Sequence, residues 1–197
     1  PAASYKNEPD HWGWNPSPTK EGWWFIGNTS SDEITGHMYG LSIFLSVGAA
    51  NAADKTIARS LLNDMMSRII KGGLILRDVR WDHETRWGHW DPADLNGKFS
   101  WSDERGLNSL QIVSYLATVL AHQPKVGLET QEPYATYLST LDTLIHRDGY
   151  LLNILNQKIT SPGEINFSDN DLSFKPYYTL AAACQFGMFG TGKKPFS

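Results

Sequence analysis

Hydrophobic side chains recur three and four positions apart along several stretches of this chain, which is the spacing of one face of an α-helix. Ser30 and Glu33 stand three residues apart before the first stretch, as in a capping box that starts a helix. Asn51 opens the second stretch, and Gly72 and Gly73 are typical of its end. The spacing predicts helices over residues 31–49, 51–71, 102–122, 133–149 and 168–187.

The segments between these helices are rich in glycine, proline and tryptophan. Residues 1–29 show no hydrophobic period and predict an irregular leader, which leaves residues 30–197 as a single domain of paired helices. Residues 74–79 predict a short strand. Residues 80–101 predict a long loop that holds four of the eight tryptophans. Loops of that length are commonly functional or disordered.

The helix starts repeat. Ser31-Asp32-Glu33, Ser102-Asp103-Glu104 and Ser168-Asp169-Asn170 each open an apolar helix, with offsets of 71 and 66 residues. A second helix follows each of the first two, so the repeating unit is a helical hairpin, which needs neighbours to bury its faces. The pattern predicts an all-α fold in which one helix of each hairpin lies inside and the other outside, and in which the inner helices point the same way. Their acidic starts would then converge beneath the tryptophan loop.

Composition limits the class of protein. The chain has 197 residues, 41% of them hydrophobic, which is enough for the core of one domain. Its formal net charge is −4 and it has no basic stripe, so nucleic-acid binding is not expected. No apolar run reaches the roughly 20 residues that span a bilayer, so no membrane segment is expected. The N-terminal residues lack a secretion signal, which leaves a cytosolic protein or an already processed chain.

The acidic helix starts have two interpretations. Carboxylates in a first turn accept backbone N–H groups and suit the helix dipole, so they could serve only as caps. A cap uses one carboxylate, however, and two stand at each of the first two starts; Glu33 also shares a helix face with His37, and Glu104 with Asn108. Crowded carboxylates raise each other's pKa, which is how a general acid arises. The catalytic candidates are Asp32, Glu33, His37, Asp103 and Glu104.

The tryptophan loop supplies the candidate binding residues. Aromatic side chains on loops either attach the loop to the core or form platforms for sugar rings. The segment 86–90 combines a cation, an imidazole and aromatic faces, a mixture that suits sugar hydroxyls, ring faces and carboxylates. The substrate-binding candidates are Arg86, Trp87, His89, Trp90, Arg105, Asn108 and Asp169.

The sequence neither predicts nor excludes a metal site. His83 and His89, with the acids Asp82, Glu84 and Asp91, could supply ligands, but their spacing matches no zinc pattern. No organic cofactor is indicated, because the sequence has no glycine-rich phosphate loop between a strand and a helix. A serine nucleophile elbow is also absent from the sequence.

Four blocks carry a resemblance to a known class of protein. They are residues 24–37, 85–90, 103–110 and 163–170, within a match over about residues 22–180. The chain resembles a little-characterised family of α/α-toroid proteins that is similar in architecture to the six-hairpin glycosidase-like enzymes. Phe167 and Asn170 stand where that family tends to have a histidine and a second acid. The resemblance implies sugar chemistry and an incomplete (α/α) toroid with long tryptophan-rich loops, which a partner chain would complete.

These observations favour a carbohydrate-active enzyme, either a glycoside hydrolase or a polysaccharide lyase. Carboxylates at the mouth of the toroid would act as acid and base on an oligosaccharide or polysaccharide. The first alternative is a non-catalytic sugar-binding or structural protein, in which the acids only cap helices. The second is a metalloprotein that uses the same acid and histidine cluster. Because sugar polymers are met outside cells, the expected location is extracellular.

Overall fold

The computed structural model describes residues 14–27, 29–47, 51–79, 81, 83–123, 131–156 and 168–185. These residues are mostly helical, with two small antiparallel sheets. The strands are β1 (Trp14–Pro16), β2 (Trp24–Ile26), β3 (Ile75–Arg77) and β4 (Glu84–His89). The helices are α1 (Ser31–Val47), α2 (Ala52–Lys71), α3 (Pro92–Leu95), α4 (Arg105–Ala121), α5 (Tyr134–His146), α6 (Tyr150–Ile154) and α7 (Ser168–Gln185), with a 3₁₀ turn at Phe99–Trp101.

The long helices begin and end close to where the hydrophobic spacing predicts. The side chain of Asn51 accepts the backbone N–H of Asp54, and Gly72 follows the last turn of α2, so the predicted caps of this helix are confirmed. The predicted helix at residues 102–122 begins three residues later, at Arg105, because a 3₁₀ turn precedes it. The predicted ends at residues 49 and 187 lie outside the described residues.

The α4 helix is the centre of the core. From Asn108 to Leu120 every side chain is buried, including polar ones. The α7, α6 and α5 helices pack against α4, and so do α1 and α2. Gly106 lets α6 come close: a Cβ atom there would lie 2.2 Å from the backbone oxygen of Asn156. Burial on all sides favours apolar residues around the whole helix, and the polar side chains of α4 that are buried with them need partners inside the core.

The two sheets form in segments that the sequence predicts to be irregular. The β1 and β2 strands pair within residues 14–26, so the expectation of a wholly irregular leader is wrong there; residues 1–13 lie outside the described part. The predicted strand near residues 74–79 is confirmed as β3, and it pairs with β4. The predicted long loop is therefore partly wrong, since residues 84–101 contain β4, α3 and the 3₁₀ turn.

The predicted all-α toroid is wrong. The fold contains sheets, and the described residues give no sign of a ring of hairpins. In a toroid the inner helices surround a hollow, whereas here α4 is covered by its neighbours on all sides and is itself the axis of the fold. A helix in that position cannot line a hollow along its length. Without a toroid, there is no reason to expect a partner chain that completes a ring.

Replacing Gly106 with alanine should lower the free energy of unfolding by about 1–3 kcal/mol, because the added methyl group collides with backbone that cannot move aside freely. The matched control is Gly36→Ala, in the exposed face of α1, where an added Cβ has no neighbour within 4 Å. That change should stabilise by about 0.5–1 kcal/mol, because alanine loses less conformational freedom than glycine in a helix. Urea denaturation measures both. Equal effects of the two substitutions would contradict the close approach of α6 to α4.

Candidate functional site

The register between α1 and α4 decides which acidic helix starts meet. The Thr35 hydroxyl lies 2.5 Å from that of Tyr115, and the Ser42 hydroxyl lies 3.2 Å from Nε2 of His122. Both pairs are 80 residues apart, so the two helices run in the same direction, as the repeat predicts. The acidic motifs are 71 residues apart in sequence. The start of α1 therefore lies nine residues further along α4 than the start of α4 itself, where the repeat would place it. At a rise of 1.5 Å per residue, this displacement is about 13 Å.

Glu33 is part of the cap of α1. Its Oε2 accepts the backbone N–H of Ser30 at 3.0 Å and also accepts the Ser30 hydroxyl, while Ser30 Oγ accepts the N–H of Asp32 at 3.2 Å. This is the reciprocal arrangement of a capping box. The hydrogen bond from the Ser30 side chain lowers the pKa of Glu33. The geometry favours the capping interpretation over the catalytic one at this helix start.

The other two candidates of the first repeat lie on the outer face of α1. Asp32 is exposed, and its Oδ1 accepts the Ser31 hydroxyl at 3.2 Å. His37 is exposed one turn further along the helix. Neither residue lines a described cavity together with Asp103 or Glu104.

The starts of the second and third repeats do meet. Asp103 and Asp169 both line a groove of about 500 Å³, bounded by the first turns of α4 and α7 and by the end of α6. The groove combines carboxylates, amides and hydroxyls with apolar and aromatic surfaces. Its lining residues are Asp103, Gly106, Leu107, Leu110, Ile154, Asn156, Asp169, Asn170, Ser173, Phe174 and Tyr177.

The remaining candidates on α4 hold the backbone of residues 89–95 in place. Nδ2 of Asn108 donates to the carbonyl of His89 at 2.9 Å, and the Asn108 side chain is buried. Nε of Arg105 donates to the carbonyl of Leu95 at 2.5 Å. Glu104 is half-buried directly before α4, and its side chain does not cap that helix. Asn108 and Arg105 therefore position a neighbouring segment.

Two of the four tryptophans of the predicted loop, Trp90 and Trp101, attach it to the core. Trp90 is fully buried, and its Nε1 donates to Oε1 of Gln111 at 2.8 Å. Trp101 stacks on the imidazole of His89 with ring centroids 4.5 Å apart. Trp87 is exposed, and the Arg86 guanidinium lies 4.5 Å from the centre of its ring. Arg86 and Trp87 thus form a surface pair apart from the groove lining.

A second polar cluster, which we call the His89 cluster, consists of His89, Asp91 and Asp94. Nδ1 of His89 lies 2.6 Å from Oδ2 of Asp94, and Nε2 donates to the Thr85 carbonyl at 3.0 Å. Nζ of Lys98 contacts the other oxygen of Asp94. One potential ligand atom from each of the three residues lies within 4.8 Å of the other two.

The two carboxylates of the His89 cluster respond differently to their surroundings. Burial raises the pKa of Asp91, and the negative charge of Asp94 adds to this effect. Burial also disfavours the charged form of Asp94, but hydrogen bonds from Lys98 and His89 outweigh it and lower the pKa of Asp94. Asp91 Oδ1 accepts the backbone N–H of Asp94 at 3.0 Å, whereas the buried Oδ2 has no hydrogen-bond partner among the described atoms.

The sequence identifies His89 and Asp91 as metal candidates but misses Asp94. Asp94 follows Asp91 by three residues, the spacing of a helix cap, so its sequence context suggests only a turn. The other metal candidates lie elsewhere: exposed His83 is 3.9 Å from Asp78, and Glu84 pairs with Arg77 at 3.0 Å. Asp82 lies outside the described residues.

Comparison with protein-family models, curated proteins and solved structures finds no match to this chain. Among the described residues, no helix combines the length and the apolar character needed to cross a membrane. The candidate sites are therefore defined by their geometry alone.

Replacing Ser30 with alanine should lower the free energy of unfolding by about 1 kcal/mol at neutral pH, because α1 loses its cap. Glu33 has its pKa lowered from 4.5, so its stabilisation is fully present above pH 4.5 and is lost as the pH falls through the lowered pKa. The difference between wild type and Ser30→Ala should therefore shrink in acid, as measured by urea denaturation at a series of pH values. A difference that stays constant over this range would argue against the capping role of Glu33.

Proposed function

We propose that this chain binds carbohydrate in the groove between α4, α6 and α7. The observation that carries the proposal is that exposed aromatic faces, carboxylates and amides line one concave surface. Small-molecule sites in proteins are concave, have volumes of about 300–1,000 Å³, and combine apolar surface with a few polar groups. A volume of about 500 Å³ lies within that range.

The aromatic part of the groove comes from one face of α7. Phe174 is 71% exposed and Tyr177 is 47% exposed, and their spacing of three places them side by side on the helix. Such large apolar surfaces are normally buried, so their exposure in a groove is typical of a binding surface. The flat faces of these rings suit the apolar faces of sugar rings, while the tyrosine hydroxyl can bond to sugar hydroxyls.

The polar part of the groove suits sugar hydroxyls. Asp103 and Asp169 supply acceptors, while Asn156, Asn170 and Ser173 supply groups that both donate and accept. The lining residues that the structure describes include no lysine or arginine. Because the charges in the groove are negative, it favours a neutral glycan and repels a uronate. The proposed ligand is therefore a neutral oligosaccharide or polysaccharide, and this argues against the lyase alternative, which needs a cation beside the uronate.

The pair of carboxylates in one groove supports a second candidate, glycoside hydrolysis. Two carboxylates that flank a glycosidic bond suffice for its cleavage, one as acid and the other as base or nucleophile. Asp103 and Asp169 would take these roles, in place of the cap residue Glu33. An extracellular location remains a prediction that depends on this sugar chemistry.

Binding is tested with a panel of neutral oligosaccharides and isothermal titration calorimetry. Tyr177→Ala should weaken binding roughly three- to tenfold, because a stacking face is removed from the groove. The matched control is Tyr178→Ala: this exposed tyrosine is adjacent in sequence but packs against Tyr39 with ring centroids 5.6 Å apart and does not line the groove. Equal affinities of wild type and Tyr177→Ala, or no binding to any member of the panel, would refute the proposal.

Hydrolysis is tested by measuring turnover of the glycans that bind. If the groove is catalytic, Asp103→Asn and Asp169→Asn should each lower kcat by at least about 100-fold, the scale of a lost general acid or base. Glu33→Gln should leave kcat unchanged, because Glu33 caps α1 away from the groove. Binding without turnover by wild type would leave the chain as a sugar-binding protein.

A further inference from the structure

We propose that the His89 cluster binds one divalent transition-metal ion, with Nδ1 of His89 and carboxylate oxygens of Asp91 and Asp94 as ligands. The site is separate from the sugar groove, since none of these three residues lines the groove. The proposal does not depend on carbohydrate binding.

The first argument is that both ring nitrogens of His89 face oxygen atoms. Nε2 lies 3.0 Å from a backbone carbonyl, which only accepts hydrogen bonds, so Nε2 carries a proton. A neutral imidazole with that proton has a lone pair on Nδ1, which lies 2.6 Å from Oδ2 of Asp94. Two acceptors at that distance repel each other. At 2.6 Å only a proton fits between the two atoms, so a proton occupies the position that a metal ion would take on binding.

The second argument is the orientation of the imidazole. A histidine that binds metal through one nitrogen usually donates its other N–H to a carboxylate or a backbone carbonyl, which fixes the ring and its tautomer. His89 has this arrangement, because its Nε2 donates to the carbonyl of Thr85. Stacking on Trp101 further restricts rotation of the ring.

The third argument is the unpartnered oxygen of Asp91. Its Oδ2 is shielded from water and has no hydrogen-bond partner among the described atoms, although a buried carboxylate oxygen without a partner is costly. Asp94 could accept a hydrogen bond there only from a protonated Asp91, because two charged carboxylates repel each other. A metal ion would satisfy Asp91 Oδ2 and separate the two carboxylates.

The backbone that carries these ligands is held from several sides. Asn108 binds the carbonyl of His89, the Tyr150 hydroxyl donates to the carbonyl of Trp90 at 2.7 Å, and Arg105 binds the carbonyl of Leu95. A site whose carrier segment is already fixed loses little conformational freedom on binding. The ion would tie the end of β4 to α3 beside the central helix.

The donor set defines the class of metal. One imidazole nitrogen and two carboxylate oxygens suit zinc and related first-row ions, whereas calcium and magnesium prefer oxygen ligands alone. Ligands of a tetrahedral zinc ion lie about 3.3 Å apart, so binding must widen the 2.6 Å pair and draw Asp91 inward. Water would complete the coordination. The proton between Nδ1 and Asp94 is released to solvent as the ion enters.

The experiment is equilibrium dialysis of the untagged full chain against Zn²⁺, with elemental analysis of the bound metal and thermal denaturation of the same samples. The wild type should bind one ion per chain and should melt at a higher temperature with Zn²⁺, and Mg²⁺ at the same concentration should have no such effect. Asp91→Asn should bind Zn²⁺ at least tenfold more weakly. Asparagine keeps the oxygen that caps α3, so this variant should fold as the wild type does.

The control variant removes a histidine outside the His89 cluster. His146 is exposed and lies 3.6 Å from Asp142, so it is the kind of surface pair that can take up zinc nonspecifically. His146→Ala should retain the ion. The proposal would be overturned if the wild type bound no zinc, if Asp91→Asn bound it as tightly as wild type, or if only His146→Ala lost it.

Discussion

The burial of α4 is the constraint on which the rest of the structure depends. This helix is covered from Asn108 to Leu120, and each of the neighbouring long helices contributes to the cover. Its buried polar groups need partners, because burial removes them from water. Gln111 therefore binds the indole of Trp90, and Asn108 binds the backbone of His89. Through these bonds the central helix fixes the tryptophan-rich segment, and the His89 cluster is positioned as a consequence.

The positions of the long helices could be predicted from the sequence, but their arrangement could not. Three- and four-residue spacing reports which face of a helix is apolar, and caps such as Asn51 mark where a helix begins. Neither signal reports how far one helix is displaced along another. The repeat suggests an offset of 71 residues between α1 and α4, whereas the bonded pair of Thr35 and Tyr115 shows 80. The β4 strand is missed for a related reason, since its polar sequence lacks the alternation that marks a half-buried strand.

The candidate sites were predictable only in part. Asp103 and Asp169, to which the acidic motifs point, line one groove because both stand at the starts of packed helices. The motifs give no indication of Phe174 and Tyr177, which look like core residues of a helix until their exposure is known. Glu33 shows the opposite case: its motif has a complete local explanation as a cap, which only the hydrogen bonds reveal.

The displacement of α1 along α4 also determines where the groove can exist. With an offset of 80 residues, Ser31 stands level with Gln111, so α1 does not reach the earlier turns of the central helix. All four of the groove residues near the start of α4 precede that level: Asp103, Gly106, Leu107 and Leu110. The groove occupies the length of α4 that α1 leaves uncovered. The capping residue of α1 thus marks the point along α4 at which α1 begins to cover it, and the groove lies on the turns of α4 before that point.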